Sequence, residues 1–163
     1  MMNITKVKYA GEKVRIEYTI DRADGGEADE YTLQSADKPL PSFETALLAL
    51  TPDVVDICEL DKLSAAHITV RGVTFTWKHD IMGACITALK TLTTANAPLV
   101  LNTPHLPSES YSGNANDGSP VLPRGTMNRL GQVLVEAGRY IDGERAQATL
   151  PLESVTLVLE KVS

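Results

Sequence analysis

Between His67 and Thr103 apolar and polar residues change places at almost every step: Ile68-Thr-Val70, Val73-Thr-Phe75-Thr-Trp77 and, closing the run, Pro98-Leu-Val-Leu101. Alternation sends successive side chains to opposite faces of an extended chain, so this stretch predicts three or four strands with one buried face. Arg71-Gly72 reads as a two-residue turn that sets Val70 opposite Val73 and Ile68 opposite Phe75. Residues 81–92 fit both periods. The threonines and the Ala95-Asn-Ala-Pro98 turn favour a strand hairpinned to Leu99-Val-Leu101.

The N-terminal segment repeats the pattern. Val7, Tyr9, Val14, Ile16, Tyr18 and Ile20 share one side of a hairpin turning at Ala10-Gly-Glu-Lys13, and Tyr31-Thr-Leu-Gln34 resumes a strand after the acidic turn 21–30. The other side carries Lys6, Lys8, Lys13 and Arg15, the most basic surface in the chain. Beside Tyr9 or Tyr31 it is a candidate track for single-stranded DNA; a solvated outer sheet face is the plainer reading.

Three helices are expected around these strands. Pro39 and Pro41 stop the third strand, and Ser42 is placed to cap a helix through Phe43, Ala46, Leu47 and Leu50. Thr51-Pro52 starts a second, with Val54, Val55, Ile57 and Cys58 inward and Asp53, Asp56 and Glu59 outward. The third runs over 124–142, with Met127, Leu130, Leu134, Ala137 and Ile141 as its buried stripe and Gly143 as its C-terminal cap. Gly131 and Gly138 lie seven residues apart on one side, where another backbone, of this chain or of a second copy, can approach. Val155-Thr-Leu-Val-Leu159 reads as the last strand. The expectation is one α+β domain over 1–163, an antiparallel, mainly meander sheet packed by about three helices, with a mobile loop at 108–120.

The 163 residues carry a net charge of −6, with 43% hydrophobic and 22% charged side chains. That is globular composition, large enough for a core without disulfides, and it disfavours general duplex-DNA binding, which depends on phosphate neutralisation. No leader peptide or membrane span is read, so a cytoplasmic protein is expected. Cys58 and Cys85 read as buried free thiols.

Chemical motifs are absent. His67, His79 and His105 lack metal-ligand spacing, and neither a nucleophile elbow nor a phosphate loop occurs, so no catalytic residue, metal or cofactor is assigned. For an enzyme acting on nucleotides, His79, Asp80 and His105 are the residues to consider. His105 and Tyr111, flanking the start of the long loop, are candidates for a ligand held beneath it as by a lid.

Gln147-Ala-Thr-Leu-Pro-Leu152 resembles the hexapeptide with which bacterial replication and repair proteins bind the sliding clamp: Gln, Leu, Ser or Asp, Leu, an optional spacer, then Leu or Phe. Gln147, Leu150 and Leu152 match, whereas Ala148 and Thr149 depart from the pattern. Two apolar anchors and a rim glutamine suit a small interface dominated by a few residues.

Asp37-Lys-Pro-Leu-Pro-Ser-Phe43, Val70-Arg-Gly-Val73, Leu99-Val-Leu-Asn-Thr-Pro-His-Leu-Pro107 and Tyr140-Ile-Asp-Gly-Glu-Arg-Ala-Gln147 together resemble an uncharacterised protein family encoded in bacteriophages and prophages. The resemblance covers most of the chain and implies no activity. It implies a setting near replication and recombination genes, hence an accessory protein that contacts sliding clamp or single-stranded DNA. The alternatives are a counter-defence protein that sequesters a host protein or signalling nucleotide, and a small nucleotide-acting enzyme.

Overall fold

The computed structural model describes residues 1–146, so Gln147, Leu150, Leu152 and the expected strand at 155–159 lie outside the described residues. The elements in chain order are β1 (Met2–Tyr9), β2 (Val14–Ile20), β3 (Asp29–Ser35), α1 (Pro41–Leu48), α2 (Thr51–Ile57), a 3-10 turn (Lys62–His67), β4 (Ile68–Lys78), β5 (Ile81–Lys90), β6 (Leu99–Asn102), β7 (Leu106–Pro107) and α3 (Arg124–Ile141). The fold is α+β. Its sheet has the order β3-β2-β1-β4-β5-β6, with β7 also on β5, and every pairing is antiparallel. Two meanders, β1-β2-β3 and β4-β5-β6, are joined where β1 meets β4. The three helices cover one face, and no helix of the described residues is long and apolar enough to cross a membrane.

The core lies between helices and sheet. Val7, Val14, Ile16, Val70, Val73, Phe75 and Ile86 meet Phe43, Leu47, Leu50, Val54, Leu130 and Ala137 there, all buried. Each such side chain contributes about 1.5–3 kcal/mol through the apolar area it removes from water. Tyr9 packs edge-on against Phe43, with centroids 5.8 Å apart, and Tyr18 stacks on Tyr31 at 5.3 Å. Both tyrosine sets lie on the helix side, so the aromatic partners expected beside the lysines are on the opposite face.

The expected Arg71-Gly72 turn is a bulge within the eleven-residue strand β4. Gly72 is needed for close approach: a Cβ there would stand 2.6 Å from the Val7 carbonyl oxygen. The chain turns instead at His79-Asp80, whose φ values of 53° and 60° suit a two-residue hairpin. Residues 81–90 form the expected strand and pair with β6.

Ser42 does not cap α1. Pro41 occupies the first turn, and the Ser42 hydroxyl donates to Glu136 Oε2 at 2.7 Å. Asp53, expected outside, is 4% exposed and accepts from Thr126 Oγ1 and Arg129. These polar contacts turn α3 on its axis. Thr126, Val133, Glu136 and Tyr140 are buried with Leu130 and Ala137, while Met127, Leu134 and Ile141 are only partly covered. Gly143, at φ 97°, ends the helix as expected. A Cβ at Gly131 or Gly138 would meet nothing within 4 Å, so neither accommodates a backbone among the described residues.

Candidate functional site

The sheet face away from the helices is mostly polar, apart from Leu89 opposite Val100, and among the described residues no helix covers it. Strand register sets one straight row across it: Gln34 opposite Arg15, Arg15 opposite Lys8, Lys8 opposite Gly72, Gly72 opposite Thr87, and Thr87 opposite Asn102. With strands about 4.8 Å apart the row spans about 24 Å. The bulge adds Arg71 beside it, because the extra residue of a bulge leaves two consecutive side chains on one side. Lys6, opposite Glu17 and Thr74, stands in the next row.

Charge along the row is unevenly answered. Arg15 donates from Nη1 to Gln34 Oε1 at 3.3 Å and lies 3.6 Å from Glu17, which Lys6 approaches to 3.9 Å. Lys8 and Lys13 have no carboxylate partner among the described residues. With Arg15, Gln34 and the carboxylate of Glu12 they line a shallow groove of about 270 Å³. Arg71 likewise has no recorded partner among the described residues and lines a neighbouring cleft of about 190 Å³ with Thr69, Thr91 and Asn96. Thr87 donates to Asn102 Oδ1 at 2.7 Å. Guanidinium and ammonium groups interleaved with hydroxyls and amides, and flattened at Gly72, form a surface that holds anionic groups along a line.

The structure thus brings together the four basic residues read from the sequence, Lys6, Lys8, Lys13 and Arg15, and adds Arg71, Gln34, Thr87 and Asn102. No local motif marks the additions, because four strands contribute one residue each. Their only signal is that they occupy polar positions of period-2 segments. Aromatic stacking does not contribute, since no aromatic ring lies in the row.

His105 sits further along the same face. Its Nε2 is 2.7 Å from Thr76 Oγ1, and the ring edge sits against Gly83, where a Cβ would collide with Nε2 and Cε1. Tyr111 receives Lys78 Nζ at 5.1 Å from its ring centre. Both loop-flanking candidates therefore dock on the end of β4. The loop between them and α3 is organised by Asp117, whose carboxylate accepts from Ser110, from Ser112 Oγ at 2.7 Å and from the Ser119 amide at 2.8 Å. The Ser110 and Ser112 hydroxyls, then that amide, hold the Asp117 carboxyl well below the usual carboxylate range. Ser110, Gly113, Ser119 and Val121 line a hollow of about 230 Å³ there.

His79 and Asp80 form the exposed hairpin turn, without a hydrogen bond between their side chains among the described residues. Burial, then neighbouring Cys85, pushes the Cys58 thiol up and away from a reactive thiolate. Cys85 donates to the Thr103 carbonyl. Among the described residues no three His, Cys, Asp or Glu side chains converge as a metal site. Comparison with protein-family models, with curated proteins and with solved structures finds no match for this chain.

Proposed function

We propose that this is a binding protein that lays an extended anionic ligand, single-stranded DNA, across the open sheet face, as an accessory factor in phage DNA replication or recombination. The observation that carries this is the row Gln34-Arg15-Lys8-Gly72-Thr87-Asn102 with Arg71 at its side. It combines cations, of which Lys8 and Arg71 have no carboxylate partner among the described residues, with neutral donors over a length suited to several nucleotides. The phage setting rests on sequence resemblance. A net charge of −6 makes the basic row local, which favours a ligand that follows one path rather than general adhesion.

Sliding-clamp contact is the second route to the same role. What favours it is that the Gln147–Leu152 peptide starts where Arg145 pairs with Asp37 at 2.9 Å, beyond the last element of the described core.

The test is fluorescence anisotropy of a labelled oligodeoxynucleotide of about twenty residues, titrated with protein at several salt concentrations. Salt-sensitive binding lost in Lys8→Glu/Arg15→Glu supports the sheet-face reading. Absence of binding at low salt, or binding indifferent to those changes, overturns it. Retention on immobilised clamp, abolished by Gln147→Ala, reports separately on the second route.

A further inference from the structure

Arg71 is the extra residue of the β4 bulge. Val70 pairs with Ala88 and Gly72 with Thr87, so Arg71 has no partner of its own on β5. Released from the ladder, it lines a cleft of about 190 Å³ together with Thr69 of β4, Leu89 of β5 and Thr91, Asn96 and Pro98 of the β5–β6 connection. No carboxylate among the described residues lines this cleft. Arg71 Nε is buried and has no hydrogen-bond partner among the described residues. A cationic donor shut away from water without an acceptor is costly, so an occupant that draws the Nε–Nη2 edge of the guanidinium onto an acceptor is favoured.

The neighbours of Arg71 select the kind of acceptor. The arginine fork takes two oxygens of a carboxylate or a phosphate at once. A carboxylate is then used up, whereas a phosphate keeps further oxygens for the hydroxyls of Thr69 and Thr91 and the amide of Asn96. The remaining lining is apolar, and Val100, opposite Leu89 in register and 56% exposed, extends it. An inorganic anion gains nothing from that surface, but the organic side of an ester does. The cleft is smaller than the roughly 300 Å³ at which pockets for whole drug-sized ligands begin, so it suits one phosphate and part of what it is attached to.

We propose that the Arg71 cleft binds the phosphate ester of a nucleotide, with Arg71 as the anion anchor, Thr69, Thr91 and Asn96 as further donors, and Leu89 and Pro98 against the organic part. The ester comes from the phosphorylated end of a DNA strand lying on the basic row, a source that rests on the strand-binding reading of this face, or from a free nucleotide, a source that does not.

The test is NMR titration of the full, isotope-labelled chain with thymidine 5′-monophosphate, inorganic phosphate and thymidine. The monophosphate should shift the Arg71 Nε–H resonance and the Thr91 and Asn96 amides saturably, at least about tenfold more tightly than inorganic phosphate, and thymidine should shift none of them. Arg71→Gln should abolish the response, Arg71→Lys, which keeps the charge and loses the fork, should weaken it, and Lys8→Gln/Arg15→Gln should leave it unchanged. If Arg71→Gln disturbs the fold, the Arg71 resonance in the unaltered chain decides. An oligonucleotide that binds more tightly with a terminal phosphate than without one, the gain vanishing in Arg71→Gln, supports the strand end as source; monophosphate binding without that gain supports the free nucleotide. Loss of strand binding with the monophosphate response intact would overturn only the strand reading. No saturable shift at Arg71 up to about 10 mM monophosphate, an equal response to inorganic phosphate, or a response that survives Arg71→Gln would overturn the proposal.

Discussion

Arg129 grips the buried carboxylate of Asp53 with two parallel hydrogen bonds, Nε to Oδ2 and Nη2 to Oδ1, both 2.6 Å. Thr126 adds a third donor at 2.6 Å. The contact ties α3 to α2 across 76 positions of sequence. Hydrogen bonding to Asp53 raises the affinity of Arg129 for its proton, against the opposing effect of burial.

Because Asp53 is 4% exposed while Arg129 is 42% exposed, the two partners are not equivalent. Arg129→Met strands a buried charge and should cost about 3 kcal/mol, whereas Asp53→Leu/Arg129→Met should cost less than the single change. Denaturant midpoints of the single and double variants check this. A loss below about 1 kcal/mol for Arg129→Met would mean that water reaches the carboxylate.

The β4–β5 turn places two non-glycine residues at positive φ. His79→Asn/Asp80→Gly supplies the residues such a turn prefers and should raise stability by about 0.5–1 kcal/mol. Thermal unfolding reads the gain. If either side chain is needed for binding, affinity falls while stability rises.

Gly72 and Gly83 are both crowded, by different kinds of neighbour. A methyl at Gly72 meets the Val7 backbone carbonyl, which cannot move without breaking the β1–β4 ladder; a methyl at Gly83 meets the His105 and Thr76 side chains. Gly72→Ala should therefore cost about 1–3 kcal/mol with no simple rescue, and Gly83→Ala should be partly restored by His105→Ala, which leaves Thr76 Oγ1 to rotate away. Chemical denaturation of the three variants separates the two cases.

If the open face binds single-stranded DNA, replacing Lys8 and Arg15 by glutamine should flatten the plot of log affinity against log salt by about 1.4, since each phosphate contact contributes about 0.7. Anisotropy titrations at four salt concentrations give the slope. An unchanged slope would place the phosphate contacts elsewhere.

The Asp117 carboxyl titrates below its ordinary value of 3.8. A depressed folded-state value means that its stabilisation of the 108–120 loop is complete above that ordinary value and is lost as pH falls through the lower, folded one. The Ser119 amide resonance should hold its position as pH falls through the ordinary carboxylate range and move only below it. Asp117→Asn should shift it at neutral pH.

Strand positions and helix extents were legible because they depend on local periodicity. The alternations at 3–9, 14–20 and 73–77 and the apolar repeat of α3 need no partner to be read, whereas 81–90 fit both periods and only their pairing with β4 and β6 makes them a strand. Turn placement was less so: Arg71-Gly72 carries the more familiar turn residues, yet a close approach between residues 64 positions apart makes Gly72 part of a ladder with Lys8. The helix face presented to the core was misread for a related reason. Apolar counting favours Met127 and Leu134, while Thr126 and Glu136 are buried because Asp53 and Ser42 lie opposite them.

Of the candidate site, sequence order displayed only the four basic residues at 6–15, which share one hairpin. The row that Lys8 and Arg15 belong to exists because β1 pairs with β4, an assembly decided by long-range packing of Val7, Val73 and Phe75 against the helices. Side-chain alternation is a property of each strand alone, so the sequence determined which residues face outward. Which of them become neighbours depends on the order and register of strands, and only the folded core selects that by burying every apolar face at once.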